Sequence, residues 1–124
     1  MEYKIQSFCD LNAWKEGHGL VLEIYNITKF FPKEELYGIT SQMRRCVVSI
    51  TSNIAEGFSR QTSKEKVQFY SIARGSLTEL QNQLIISKDI GYIKEDVFQK
   101  IFNHSVVVHK IVNGLINYSR NRIS

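Results

Sequence analysis

Proline is nearly absent from this sequence: Pro32 stands alone among 124 residues, and only seven glycines are present. A many-turned β fold needs breakers at every turn, so this scarcity favours long helices. Cysteine is just as sparse. Cys9 and Cys46 make neither a CxxC pair nor a disulfide framework, which points to a reducing compartment. No stretch approaches the ~18 consecutive apolar residues of a membrane span. The opening MEYKIQSFCD has no apolar segment behind a basic start, so no signal peptide is read there and a cytoplasmic location is expected.

The remaining composition, 43% hydrophobic and 23% charged, is that of a folded chain rather than a disordered one. The length fits one domain. Periodicity then divides it into four helices. The first is expected over about 11–31, with Leu11, Trp14, His18, Val21, Tyr25 and Thr28 on one stripe and Leu20, Ile24, Ile27 and Phe31 on another. Pro32 stops it. A connection with room for a short helical turn follows, and Thr40 or Ser41 is the expected cap of a second helix over about 40–57. Met43, Val47, Ile50 and Ile54 give its core face, and Gly57 is the expected left-handed closing residue. Thr62–Glu65 reads as a capping box opening a third helix over about 63–90. Its stripe is Tyr70, Ala73, Leu77, Leu80 and Leu84, with Ile72, Ile86 and Ile90 displaced from it and Gly91 ending it. The fourth, about 95–118, carries Val97, Ile101, Val108, Val112 and Leu115.

Short turns between four helices imply an all-α, up-down-up-down antiparallel four-helix bundle. The second stripes on helices one and three exceed what one inward face needs. Left exposed they would mark an interface, so a homo-oligomer is expected. Burial of both stripes within an unevenly packed single chain is the competing reading.

Two polar groups stand out. Arg45, Ser49, Asn53 and Glu56 lie within about 80° of one another on helix two, beside the core face, with Arg74, Ser76 and Glu79 offered by helix three. Glu79 shares a side with Ile72 and Ile86, where burial would require a cation or several donors. One reading makes Arg45, Ser49, Asn53, Glu56 and Glu79 a hydrogen-bonded seam between helices or subunits. The other turns the arginines outward toward phosphates. The charge distribution bears on that second reading. Six basic residues (Arg44, Arg45, Arg60, Lys64, Lys66, Arg74) against two acidic ones between positions 44 and 74 account for the whole net charge of +4. Arg44, Arg60, Lys64, Lys66 and Arg74 are therefore candidates for contact with nucleic acid or an acidic protein face.

Catalysis finds little support. His104 and His109 are five apart rather than the four that pairs imidazoles on one helical face, so no metal site is expected. His18 falls on the apolar stripe and is expected as a hydrogen-bonded core residue. Cys46 reads as a small buried hydrophobe. The ARGS segment lies within a helix and is no phosphate loop, so Gly75 is expected to admit a close helix neighbour. No enzyme activity and no cofactor are expected.

The segments FCDLNAWKEG, FPKEELYGITSQMRRCVVSITSNIAEGFSR and FYSIARGSLTELQNQL resemble the four-helix bundle proteins encoded by intervening sequences of 23S rRNA genes, over Phe8 to about Tyr92. SNIAEG and ARGSLTEL are the specific part. Thr51 stands where that family usually has proline. The resemblance implies a bundle assembling into a ring, with five subunits as the state among relatives. It also implies likeness to a retroelement accessory protein that partners a reverse transcriptase and has a basic surface. The function expected is a non-catalytic homo-oligomeric bundle binding RNA or another nucleic acid near the helix two–three turn. The alternative is a protein-interaction scaffold for a partner such as a reverse transcriptase.

Overall fold

Helix lengths follow from where the chain can and cannot continue its hydrogen-bond ladder. In the computed structural model, which describes residues 4–123, they are α1 (Asn12–Thr28), α2 (Ile39–Ser59), α3 (Ser63–Asp89) and α4 (Glu95–Arg120). Short 3-10 turns, Phe8–Asp10 and Lys33–Glu35, precede α1 and α2. Strands are absent among the described residues. No helix there is long and apolar enough to cross a membrane.

Side-chain pairings fix the arrangement. Thr28 meets Arg44 across α1–α2, Ser49 meets Ser76 across α2–α3, and Arg74 meets Asn113 while Gln81 meets Ser105 across α3–α4. His104 of α4 reaches back to Glu16 and Glu23 of α1. Each helix thus packs against two antiparallel neighbours, which is a four-helix bundle.

The core is the inward row of every helix: Leu20 and Ile24; Met43, Val47, Ile50 and Ile54; Leu77, Leu80 and Leu84; Val108, Val112 and Ile116, all fully buried. Each contributes roughly 1.5–3 kcal/mol by leaving water. On α2 and α3 this is the expected stripe. On α4 Ile101, Val108 and Val112 are buried as expected, Val97 and Leu115 flank the core, and Phe98, Ser105 and Ile116 complete it.

On α1 the assignment reverses. The buried face is Ala13, Gly17, Leu20, Ile24 and Thr28, so the stripe read as surplus is the core. The reason is size: Ala13 and Gly17 carry little hydrophobic signal, yet Gly17 lies where a Cβ would stand 3.2 Å from Thr51 Cγ2. His18 is exposed and stacks on Trp14 with ring centroids 4.8 Å apart. It is not a core residue.

Helix ends also differ from expectation. α2 starts at Ile39 with no side-chain cap, so neither Thr40 nor Ser41 caps it. α2 also runs past Gly57 to Ser59, and only Gly91 among the described residues has positive φ, at 89°. Gly57 is needed for a different reason: a Cβ there would lie 2.6 and 2.8 Å from ring carbons of Tyr70. Thr62 Oγ1 accepts from the Glu65 backbone N–H at 3.2 Å, but Glu65 takes the Thr62 hydroxyl (2.9 Å) rather than its backbone. The half-formed box still caps α3. Thr51, at the position of the family's proline, donates its hydroxyl to Val48 O (3.0 Å) inside an unbroken helix.

Candidate interaction surface

The polar stripe on α2 divides between helix-to-helix bonding and solvent. Ser49 Oγ and Ser76 Oγ are 3.0 Å apart, and Asn53 Nδ2 donates to Ser49 O (2.8 Å) and Oγ (3.1 Å). Glu56 instead accepts from Arg60 one turn on (3.1 Å) at the surface. Arg45 and Glu79 border one small cleft with Gln42, Cys46 and Ser49. Both are exposed, and neither forms an ion pair among the described residues. Glu79 escapes the burial cost because the isoleucines beside it are themselves exposed.

Beneath that cleft the Cys46 thiol donates to Ser76 O at 3.0 Å. Burial, aided by the charge and hydrogen bonding of Glu79, pushes its pKa up to about 12. A thiol this far from ionisation is a poor nucleophile. Alkylation of the native protein at pH 8 should therefore stop at one adduct per chain, on exposed Cys9. Mass spectrometry should find the second only after denaturation, and rapid double labelling of native protein would contradict the assignment.

Four of the five candidate nucleic-acid residues are committed within the chain. Arg44 Nε donates to Thr28 Oγ1 (2.9 Å) and its guanidinium lies over Tyr25. Arg60 pairs with Glu56 and covers Phe69. Lys66 donates to the α2 carbonyls of Phe58 (2.7 Å) and Gly57 (3.3 Å), closing that helix terminus. Burial lowers its pKa. Arg74 donates to Asn113 Oδ1 (2.9 Å). Lys64 is the exposed member of the set and forms no ion pair among the described residues. Arg44 and Arg60 are sixteen residues apart on α2 and its end, about 24 Å at 1.5 Å per residue. Arg60, Lys64 and Lys66 therefore lie at the α2–α3 turn, whereas Arg44 and Arg74 lie away from it along their helices.

A wider cleft of about 640 Å³ opens between α2 and the end of α1, with Tyr25, Leu36, Tyr37, Arg44, Arg45 and Val48 in its lining. Sequence reading missed it because Tyr37 lies in the α1–α2 connection, where periodicity gives no guide to its neighbours. On α3, Ile72, Ile86 and Ile90 are 52%, 41% and 52% exposed. Gly75, expected to admit a neighbouring helix, has open space where its Cβ would be.

His104 turns toward α1, whereas His109 faces Asn113 on its own helix. Among the described residues no group of three or more His, Cys, Asp or Glu side chains is arranged to hold a metal.

No curated protein matches the chain. A crystal structure of a protein of unknown function from the S23 ribosomal protein family of Bacteroides thetaiotaomicron VPI-5482 superposes with a TM-score of 0.79. It is 23% identical, over 85% of this chain and 95% of that one, a likeness that supports the bundle fold. Residues 9–114 match the family described as 23S rRNA-intervening sequence protein. That match spans most of the sequence, and the chain belongs to the 23S rRNA-intervening sequence protein family.

Proposed function

We propose that this chain is a non-catalytic interaction module that works as an assembly of identical copies, with the isoleucine row of α3 buried between them. The observation that carries this reading is the exposure of Ile72, Ile86 and Ile90 along one side of one helix. Aligned apolar side chains at a soluble surface mark protein contacts far more often than scattered ones do. Glu79 stands midway between Ile72 and Ile86, and Arg45 borders the same cleft. Opposite charges at the edge of the row favour pairing between copies. Native mass spectrometry should give a multiple of the 14.4 kDa chain; a spectrum holding single chains alone would overturn the reading. A ring of five is the form we favour, and its subunit number is read from the same spectrum.

A second reading, contact with RNA, is favoured by one juxtaposition. Exposed Arg45 shares the wide cleft with Tyr25 and Tyr37, and cations beside aromatic faces suit a single strand's phosphates and bases. Such binding should weaken steeply with salt. It should also fall further with Arg45→Ala than with Lys64→Ala, a ranking opposite to one centred on the α2–α3 turn. Absence of RNA binding by the intact protein at low salt would end this second reading. Recovery of a defined protein after nuclease treatment would instead identify the cleft's partner as a protein, a reverse transcriptase being one such candidate.

A further inference from the structure

The α1–α4 seam holds a cluster apart from the α3 row and the wide cleft. His104 projects from α4 onto α1 with its side chain 23% exposed. Its Nε2 lies 3.1 Å from Glu16 Oε2, and its Nδ1 makes a short contact with Glu23 Oε1. Glu16 and Glu23 are two turns apart, so they share one face of α1. Between them is Gly19, where a Cβ would stand 3.2 Å from His104 Cε1. The absent side chain lets the imidazole edge come up against the helix with a carboxylate at each nitrogen.

That placement constrains the proton count. An ionised carboxylate only accepts hydrogen bonds, and a neutral imidazole has a single N–H. Imidazolium alone satisfies both partners. A neutral ring turns a lone pair toward one of two anions. Glu16 and Glu23 face it from α1, and on α4 Lys100, one turn earlier, shares a groove with Glu23. Burial, the largest single influence, lowers the ring's pKa. Hydrogen bonds and charge from Glu23 and Glu16 together outweigh it and raise the value above the usual 6.5.

We propose that Glu16, His104 and Glu23 form a proton-operated latch: the imidazolium ties α1 to α4, and loss of its proton loosens that seam. The sign follows from linkage. A group with a raised folded-state pKa contributes fully below its unfolded value near 6.5, and that contribution is lost as pH climbs through the folded value. The latch is independent of self-association and of RNA binding.

The test follows the melting temperature of the parent, His104→Gln and Glu16→Gln/Glu23→Gln from pH 5.5 to 9. Nitrogen-15 spectra of the imidazoles are recorded on the parent, His104 being assigned by its disappearance in His104→Gln. The parent should lose several degrees as pH rises above 6.5. Both variants should show a flatter profile there, and His104 should carry a proton on each nitrogen at pH 6.5. Parallel profiles for parent and variants would overturn the latch. So would a singly protonated His104 at pH 6.5, a result that stands even if a variant fails to fold.

Discussion

Replacing Ile72 and Ile86 together with glutamate should reduce the proposed assembly to single chains while leaving each chain folded. Both side chains are more than 40% exposed within one chain, and glutamate is a good helix former. The folding cost of an exposed substitution away from special features stays within about 0.5 kcal/mol. Between copies the arithmetic changes. Each interface would have to bury new carboxylates beside Glu79, with Arg45 alone among cations bordering that cleft, and a buried charge left unpaired costs roughly 3–5 kcal/mol. Even one such penalty weakens association by more than a hundredfold. Circular dichroism should therefore remain that of four helices while the hydrodynamic mass collapses. If the variant assembled as the parent does, α3 would not be the contact surface. Loss of helicity alongside loss of assembly would show instead that the row supports the single chain.

The second large effect lies at the α2–α3 junction. Gly57→Ala should destabilise the protein by about 1–3 kcal/mol, the usual range for overpacking, although alanine in a helix is favoured over glycine by about 1 kcal/mol. The clash decides the sign. A new Cβ would stand 2.6 Å from Tyr70 Cε1 and 2.8 Å from Cδ1, and Tyr70 is only 2% exposed, so relief requires a buried ring to shift. Tyr70→Phe should give no relief, because the offending atoms are ring carbons rather than the hydroxyl. Reversible urea unfolding of the single and double variants checks both statements, and a more stable Gly57→Ala protein would refute the close approach.

These two sites show how much the sequence disclosed. Long helices were legible because one proline and few glycines leave little to interrupt them, and α3 matched its expected range to one residue at its end. The core of α2 and α3 was legible because large aliphatic residues recur without gaps. α1 was misread because Ala13 and Gly17 face inward while bulkier Trp14 and Tyr25 lie outside the buried face. Periodicity weighs side-chain size, whereas burial there rewards close approach to Thr51. Gly57 was misassigned for a related reason: glycine near a helix end serves equally for left-handed backbone or for a neighbour's ring, and nothing local separates the two.

The site was less legible than the fold. Residue type marked Arg44, Arg60, Lys66 and Arg74 as cations, but only tertiary structure reveals that Thr28, Glu56, the Phe58 carbonyl and Asn113 occupy them. The pairing of His104 with Glu16 and Glu23 spans more than eighty residues of sequence, beyond any local pattern. By contrast, the surplus of Ile72, Ile86 and Ile90 over one inward face was readable from the wheel alone, since α3's core stripe was already complete without them.

Multi-angle light scattering behind size exclusion, on nuclease-treated protein over a hundredfold range of concentration, tests the proposed assembly most directly. A mass several times 14.4 kDa that persists without nucleic acid is the outcome required if the α3 row is covered by sister chains. A constant mass of one chain at the highest concentration would contradict it.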